Sequence, residues 1–225
     1  AMSDRQARVT QALLYLDGVS VSFDGYRAIN NLSLYLGAGE MRAIIGPNGA
    51  GKTTMMDIVT GKTRPDEGDV LFDRGKHDLT QLDETAIAQL GVGRKFQKPT
   101  VFEMHTVADN ILLALKGPRS PFASLFGWRN GVEREKIDAI LATCGLVAQR
   151  DRFAGEISHG QKQWLEIGML LAQDPAILLV DEPVAGMTDA ETEQTAELLR
   201  EINKTHSFIV VEHDIHCVRA LDCKV

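Results

Sequence analysis

Apolar positions along the chain recur at two spacings, and the spacing switches repeatedly between them. Residues 41–45 (Met-Arg-Ala-Ile-Ile) and 177–180 (Ile-Leu-Leu-Val) are short, nearly continuous apolar runs. That is the pattern of strands covered on both faces. Residues 13–23 and 27–36 alternate instead, with Leu32, Leu34 and Leu36 on one face, and Asp24-Gly25 supplies a turn between them. Further short strands are predicted over 68–73, 91–96 and 207–211. Helical spacing is predicted over 54–59, stopped by Gly61, over 83–90, and over 106–116, where Val107, Ile111, Leu112 and Leu115 are apolar. It returns over 132–144, over 162–173 after a capping serine at Ser158, and over 188–204, opened by the capping-box spacing Thr188-x-x-Glu191. Strands alternating with helices predict an α/β fold with a parallel sheet. The two neighbouring strands before residue 41 predict an antiparallel sheet beside it. Residues 1–12 are polar and are expected to fray. Residues 117–131 break the pattern with Pro118, Pro121, Gly127 and Gly131 around Phe122, Phe126 and Trp128. That stretch fits a partner-contact or membrane-facing insertion, and equally a loop folded on its own aromatics.

Composition narrows this picture only a little. The length of 225 residues allows one domain with a sizeable core, or one domain plus a lobe. The net charge of −7 lacks the basic field that a nucleic-acid binder usually carries, so nucleic acid is not expected as a partner. Cys144, Cys217 and Cys223 lack metal-ligand spacing and read as incidental thiols in a reducing compartment. No apolar run is long enough to span a bilayer and no signal peptide opens the sequence. A cytoplasmic protein that docks on a membrane protein is expected. Ala1 before Met2 looks like the remnant of a cleaved tag.

The chemistry is concentrated where strands end. Gly46-Pro47-Asn48-Gly49-Ala50-Gly51-Lys52-Thr53 fits the phosphate-loop spacing G-x-x-x-x-G-K-[ST], and it lies between a predicted strand and a predicted helix. Glycines let backbone N–H groups approach phosphate oxygens, and the helix N-terminus adds partial positive charge. The expected cradle runs from Asn48, Gly49, Ala50 and Gly51 through Lys52, Thr53 and Thr54. Lys52 would reach the β/γ-phosphates, and the Thr53 hydroxyl would ligate Mg²⁺. Asp181 and Glu182 close an apolar strand at the end where such sheets bind ligands. Asp181 would orient Mg²⁺, and Glu182 would activate an attacking water. His213, at the end of the last predicted strand, could donate to a γ-phosphate, although a lone histidine at such a place is more often structural. Gln97 follows a strand, where its side chain would project toward a ligand or belong to a plain surface loop. Phe23 and Tyr26 flank the first turn; either ring could stack on adenine or pack within the hairpin, and Phe23 is the favoured one. Ser158, Gly160 and Gln161 open a helix, as a simple cap or as a second phosphate clamp.

Taken together these motifs resemble the ATP-binding subunit of ABC transporters over nearly the whole chain. The resemblance implies a P-loop NTPase (RecA-like) core, an antiparallel β subdomain and an inserted α-helical subdomain, all in one ATPase domain. The core would cover about 13–97 and 166–225, and the helical lobe about 98–165. It implies ATP and Mg²⁺ as ligands. Gln97 corresponds to the residue that meets Mg²⁺ and senses the membrane partner, Phe23 to the adenine-stacking aromatic, and His213 to the switch histidine. Ser158, Gly160 and Gln161 correspond to the signature that contacts the γ-phosphate held by an opposite subunit. The implied partners are transmembrane permease subunits, a second ATPase subunit and, indirectly, a periplasmic substrate-binding protein, with the chain peripheral on the inner face of the membrane. His159 stands where the family has glycine, and Thr188 where it usually has aspartate. Residues 93–100, 160–167 and 183–188 look most like the urea importer ATPase, within the branch that also serves branched-chain amino acids. Urea import is therefore the first expectation and branched-chain amino acid import the alternative. A less favoured alternative is an ABC ATPase acting on DNA or ribosomes. The family usually continues beyond Val225 with further strands, so a tail past that residue is also expected.

Overall fold

The computed structural model describes residues 4–47, 49–95, 100–116, 131–213 and 215–225. A helix α1 (Asp4–Gln11) leads into the hairpin β1 (Ala12–Phe23) and β2 (Tyr26–Gly37). Then come β3 (Met41–Ile45), α2 (Lys52–Val59), β4 (Glu67–Phe72), the two-residue β5 (His77–Asp78), α3 (Glu84–Gln89) and β6 (Val92–Lys95). Helices α4 (Val107–Lys116), α5 (Gly131–Thr143) and α6 (His159–Leu171) separate β6 from β7 (Ile177–Asp181). The chain closes with α7 (Asp189–Asn203), β8 (Ser207–Glu212) and α8 (Ile215–Leu221).

Among the described residues, two four-stranded sheets result. One is antiparallel in the order β2-β1-β4-β5, and the other is parallel in the order β3-β8-β7-β6. In the parallel sheet Ala43 pairs with Val210, Leu179 with Ile209 and Arg94 with Leu179. Side chains alternate across a strand, and β7 displays this directly. Ile177 and Leu179 join Leu16, Phe72, Met56 and Ile209 in a core between the parallel sheet, the antiparallel sheet and α2. Leu178 and Val180 face the other way, into a core with Ile111 of α4, Leu141 of α5, Leu165 of α6 and Leu199 of α7. Every residue of β7 and β8 is buried, as a strand covered on both faces requires.

Three expectations need correction. Residues 4–11 form a helix and do not fray. Its Arg5 bridges to Asp17, 2.6 Å away, and to Asp69, so the polar segment is tied to β1 and β4 by charge pairs that local patterning does not display. Helix α6 starts at His159, not Lys162, because Ser158 is its N-cap and Gln161 completes a reciprocal capping box. Strand β5, whose two residues carry no readable alternation, and the short closing helix α8 were not expected. The rest of the expected order is found, with boundaries shifted by one or two residues. Asn48, Gln97 and the aromatic stretch 117–130 lie outside the described residues. The three cysteines are free thiols, and burial pushes Cys144 up to about 12.

Where β4 crosses β1 the backbones touch. A Cβ on Gly68, whose φ is +94°, would sit 2.6 Å from the Gly18 carbonyl and the Val19 nitrogen. Gly68→Ala is expected to destabilise the chain by about 2–4 kcal/mol, from left-handed strain plus overpacking. A denaturant melt against the parent chain measures it.

Candidate functional site

The segment after β3 turns sharply into α2, and Gly51 makes the turn possible. It caps α2 in the left-handed region at φ +85°, and a Cβ there would lie 2.6 Å from the Ala28 carbonyl oxygen. Several other helix starts treat their free N–H groups differently. Asp83, Ser158 and Thr188 each accept a backbone N–H at the start of α3, α6 and α7. At α2 no side-chain cap bond is found among the described residues. The orphan N–H groups of its first turn, with the partial positive charge of the helix end, are left for an anion.

A cleft of about 450 Å³ opens against this turn. Gly49, Ala50, Gly51, Lys52, Thr53 and Thr54 line its floor. Phe23 and Tyr26 line it as well, 46% and 66% exposed, so both rings stand at the cleft and Phe23 is the better sheltered. The Lys52 ammonium donates to the Pro47 carbonyl at 3.0 Å and to that of Gly46, folded back over its own loop.

Asp181 and Glu182 complete the lining. Asp181 is buried at the end of β7, and burial, then the neighbouring Glu182 charge, raise its pKa. Arg94, Lys95 and Lys52 act in the opposite sense. Glu182 takes φ +47°, while its N–H donates to the Val211 carbonyl at 2.9 Å, so the turn after β7 is anchored on β8. Its carboxylate lies 3.4 Å from Nδ1 of His213. His213 itself is placed by Glu212, which sequence reasoning passed over. Glu212 is 1% exposed and accepts from the N–H of His213 at 3.0 Å and from that of Val184 at 3.4 Å, lacing the ends of β7 and β8 together. Its one legible signal was a charged residue closing an otherwise apolar strand.

Ser158, Gly160 and Gln161 do not line this cleft. Ser158 Oγ accepts the Gln161 N–H at 3.2 Å, and Gln161 Oε1 accepts the Ser158 N–H at 3.1 Å. Gly160 is buried, and a Cβ there would come within 2.7 Å of Glu191 Oε1. His159 turns its ring toward the segment after Glu182, with Nε2 3.2 Å from the Ala185 oxygen. Within one chain, then, the predicted residues fall into two groups. Phe23, residues 49–54, Asp181, Glu182 and His213 are brought together, while 158–161 stand apart from them.

Comparison with known proteins gives a consistent picture. The family described as ABC transporter matches residues 29–185. A high-affinity branched-chain amino acid transport ATP-binding protein, LivG of Escherichia coli K12, is 34% identical over 96% of this chain and 88% of its own. Among solved structures, the ADP conformation of an ATP-binding cassette of an ABC transporter superposes with a TM-score of 0.78 at 32% identity, covering 93% of this chain and 84% of that one. A dimeric post-hydrolysis ATP-binding cassette bound to ADP and Pi gives 0.73 at 26% identity, over 92% and 90% of the two chains.

The raised Asp181 pKa has a testable sign. The folded chain holds this proton more tightly than the unfolded chain, so stability is lost as pH rises from about 4 through the folded-state pKa. Asp181→Asn is therefore expected to raise the thermal midpoint of the ligand-free chain near pH 7, with the gain shrinking as pH falls to about 4. Scanning calorimetry across that range checks it.

Proposed function

Because the chain belongs to the ABC transporter ATP-binding family, we propose that it powers an importer of the branched-chain amino acid class by hydrolysing ATP in the cleft at the start of α2. Cassettes of this family hydrolyse ATP for transport, work with membrane permease subunits and dimerise. The observation that carries the site is the convergence of an uncapped helix start, Lys52 and the Asp181–Glu182 pair on one cleft. Urea, the substrate first expected from short motifs, is not what the E. coli relative is named for, so the alternative takes the lead.

In this reading adenine rests against Phe23, and the N–H groups from Asn48 to Thr54 surround the phosphates. Lys52 exchanges the carbonyls of Gly46 and Pro47 for β/γ-phosphate oxygens. The Thr53 hydroxyl and the Asp181 carboxylate are hard oxygen donors lining the same cleft, the set a Mg²⁺ shared with phosphates takes. The burial and like charge that raise the Asp181 pKa are what a dication would relieve. When bound, Mg²⁺ would neutralise charge developing on the phosphates. Glu182 accepts a proton from water as the water oxygen bonds to the γ-phosphorus and the bond to the β-phosphate oxygen breaks, giving ADP and phosphate. His213, 3.4 Å from Glu182, orients that carboxylate and can donate to the γ-phosphate. Gln97 is assigned to the Mg²⁺ and to sensing of the permease. Ser158, Gly160 and Gln161 are assigned to the nucleotide of a second ATPase subunit, which fits their separation from this chain's own cleft. No helix among the described residues is long and apolar enough to cross a membrane. In this reading the chain sits peripherally on the inner face of the membrane, beneath a permease that a periplasmic binding protein supplies.

Lys52→Ala is expected to weaken ATP binding at least about tenfold, the value of one charge-assisted contact; calorimetric titration measures it, and unchanged affinity would reject the loop assignment. Glu182→Gln is expected to lower steady-state hydrolysis in the assembled transporter by about 10²–10⁴ while leaving ATP bound. Uptake of labelled leucine and urea by cells lacking the gene separates the substrates. Loss of leucine uptake alone is expected, and loss of urea uptake alone would return the assignment to urea.

A further inference from the structure

Two consecutive cations close β6, and the strand's alternation sends them opposite ways. Arg94 pairs with Asp57 of α2, the helix that begins in the cleft. Lys95 crosses to the other face and meets Glu166 of α6 at 3.3 Å, with side chains 2% and 4% exposed. The other Glu166 oxygen accepts the Thr100 N–H and lies 3.5 Å from the Thr100 hydroxyl. One carboxylate thus holds the last residue of β6, the first described residue after the 96–99 segment, and the middle of α6.

The placement has a topological meaning. The chain leaves the parallel sheet at Lys95 and comes back to it through α6 and β7, carrying α4 and α5 in between. Glu166 therefore grips the outgoing and returning segments at once. A buried ion pair is poor at adding net stability, because desolvation offsets its attraction; what it supplies is a fixed distance. That distance matters at the far end of α6. Ser158 lies eight residues before Glu166, about 12 Å along a helix, and a capping box closes the first turn.

We propose that Glu166, held by Lys95 and Thr100, is a positioning residue that sets where the Ser158–Gly160 turn stands relative to the nucleotide cleft, and that it passes occupancy of the cleft on to that turn. The route is short: cleft, α2, Asp57, Arg94, Lys95, Glu166, α6. The inference rests on the ATP-site reading above.

The test is hydrogen exchange of the full chain with and without ADP and Mg²⁺. In the parent chain, nucleotide is expected to slow exchange both in 46–54 and in 158–166. In Glu166→Gln and in Lys95→Met the first effect should remain and the second be lost. Each single change leaves one buried charge without its partner, so either variant could fail to fold. Lys95→Met combined with Glu166→Gln strands no charge and keeps an acceptor for Thr100; it is expected to fold and to show the same loss. Nucleotide-dependent slowing at 158–166 that persists in the folded double variant would overturn the proposal, as would its absence in the parent chain. Absence of slowing at 46–54 in the parent chain would instead overturn the ATP-site reading, and this inference with it.

Discussion

The site depends on the register of three parallel strands. Ile45 pairs with Glu212 and Asp181 with Val211, so β3, β8 and β7 reach the same edge of the sheet together. The turn into α2, the Asp181–Glu182 turn and His213 converge because those three ends coincide. Register also decides the face. Asp181 shares the side of β7 that carries Ile177 and Leu179, the side packed with α2. A slip by one residue would hand the carboxylate to α6 and leave the cleft without it. The apolar cores on both faces make such a slip costly, since every residue of β7 and β8 would change sides.

Much of this was legible in the chain because it is local. Strand–glycine–helix spacing around Lys52, the acids closing an apolar run at 181–182, and the caps at Ser158 and Thr188 each depend on residues within one or two turns. What escaped reading depends on distant partners. Arg5 gives no sign in sequence that Asp17 and Asp69 await it, so α1 looked like a frayed end. Glu166 looks like an ordinary surface acid and Glu212 shows only as a charge closing an apolar strand; the fold buries both and supplies N–H donors and a cation. Strand β5 is too short for any periodicity. The substrate is a different kind of case: residues 93–100, 160–167 and 183–188 suggested urea from short motifs, while similarity over 96% of the chain is to a protein named for branched-chain amino acid transport.

Buried charge is distributed unevenly in the molecule. The interiors of β7 and β8 are apolar up to their final residues, and then Asp181 and Glu212 follow, with Arg94 and Lys95 at the matching end of β6. Each of these side chains is costly to desolvate, and Glu212, Arg94 and Lys95 each tie one element to another. The apolar faces hold the layers together without much direction, while these polar ends determine which helix stands where.

The capping pattern carries a consequence for folding itself. Among the described residues, α3, α4, α6 and α7 are each finished by their own serine, threonine or aspartate, whereas α2 begins without such a partner. A phosphate seated there would act as a removable N-cap, supplied from solution where the other helices draw on their own sequence. The last piece of local structure would then be completed from outside the polypeptide, and the cell's nucleotide level would help to set how firmly this protein stays folded.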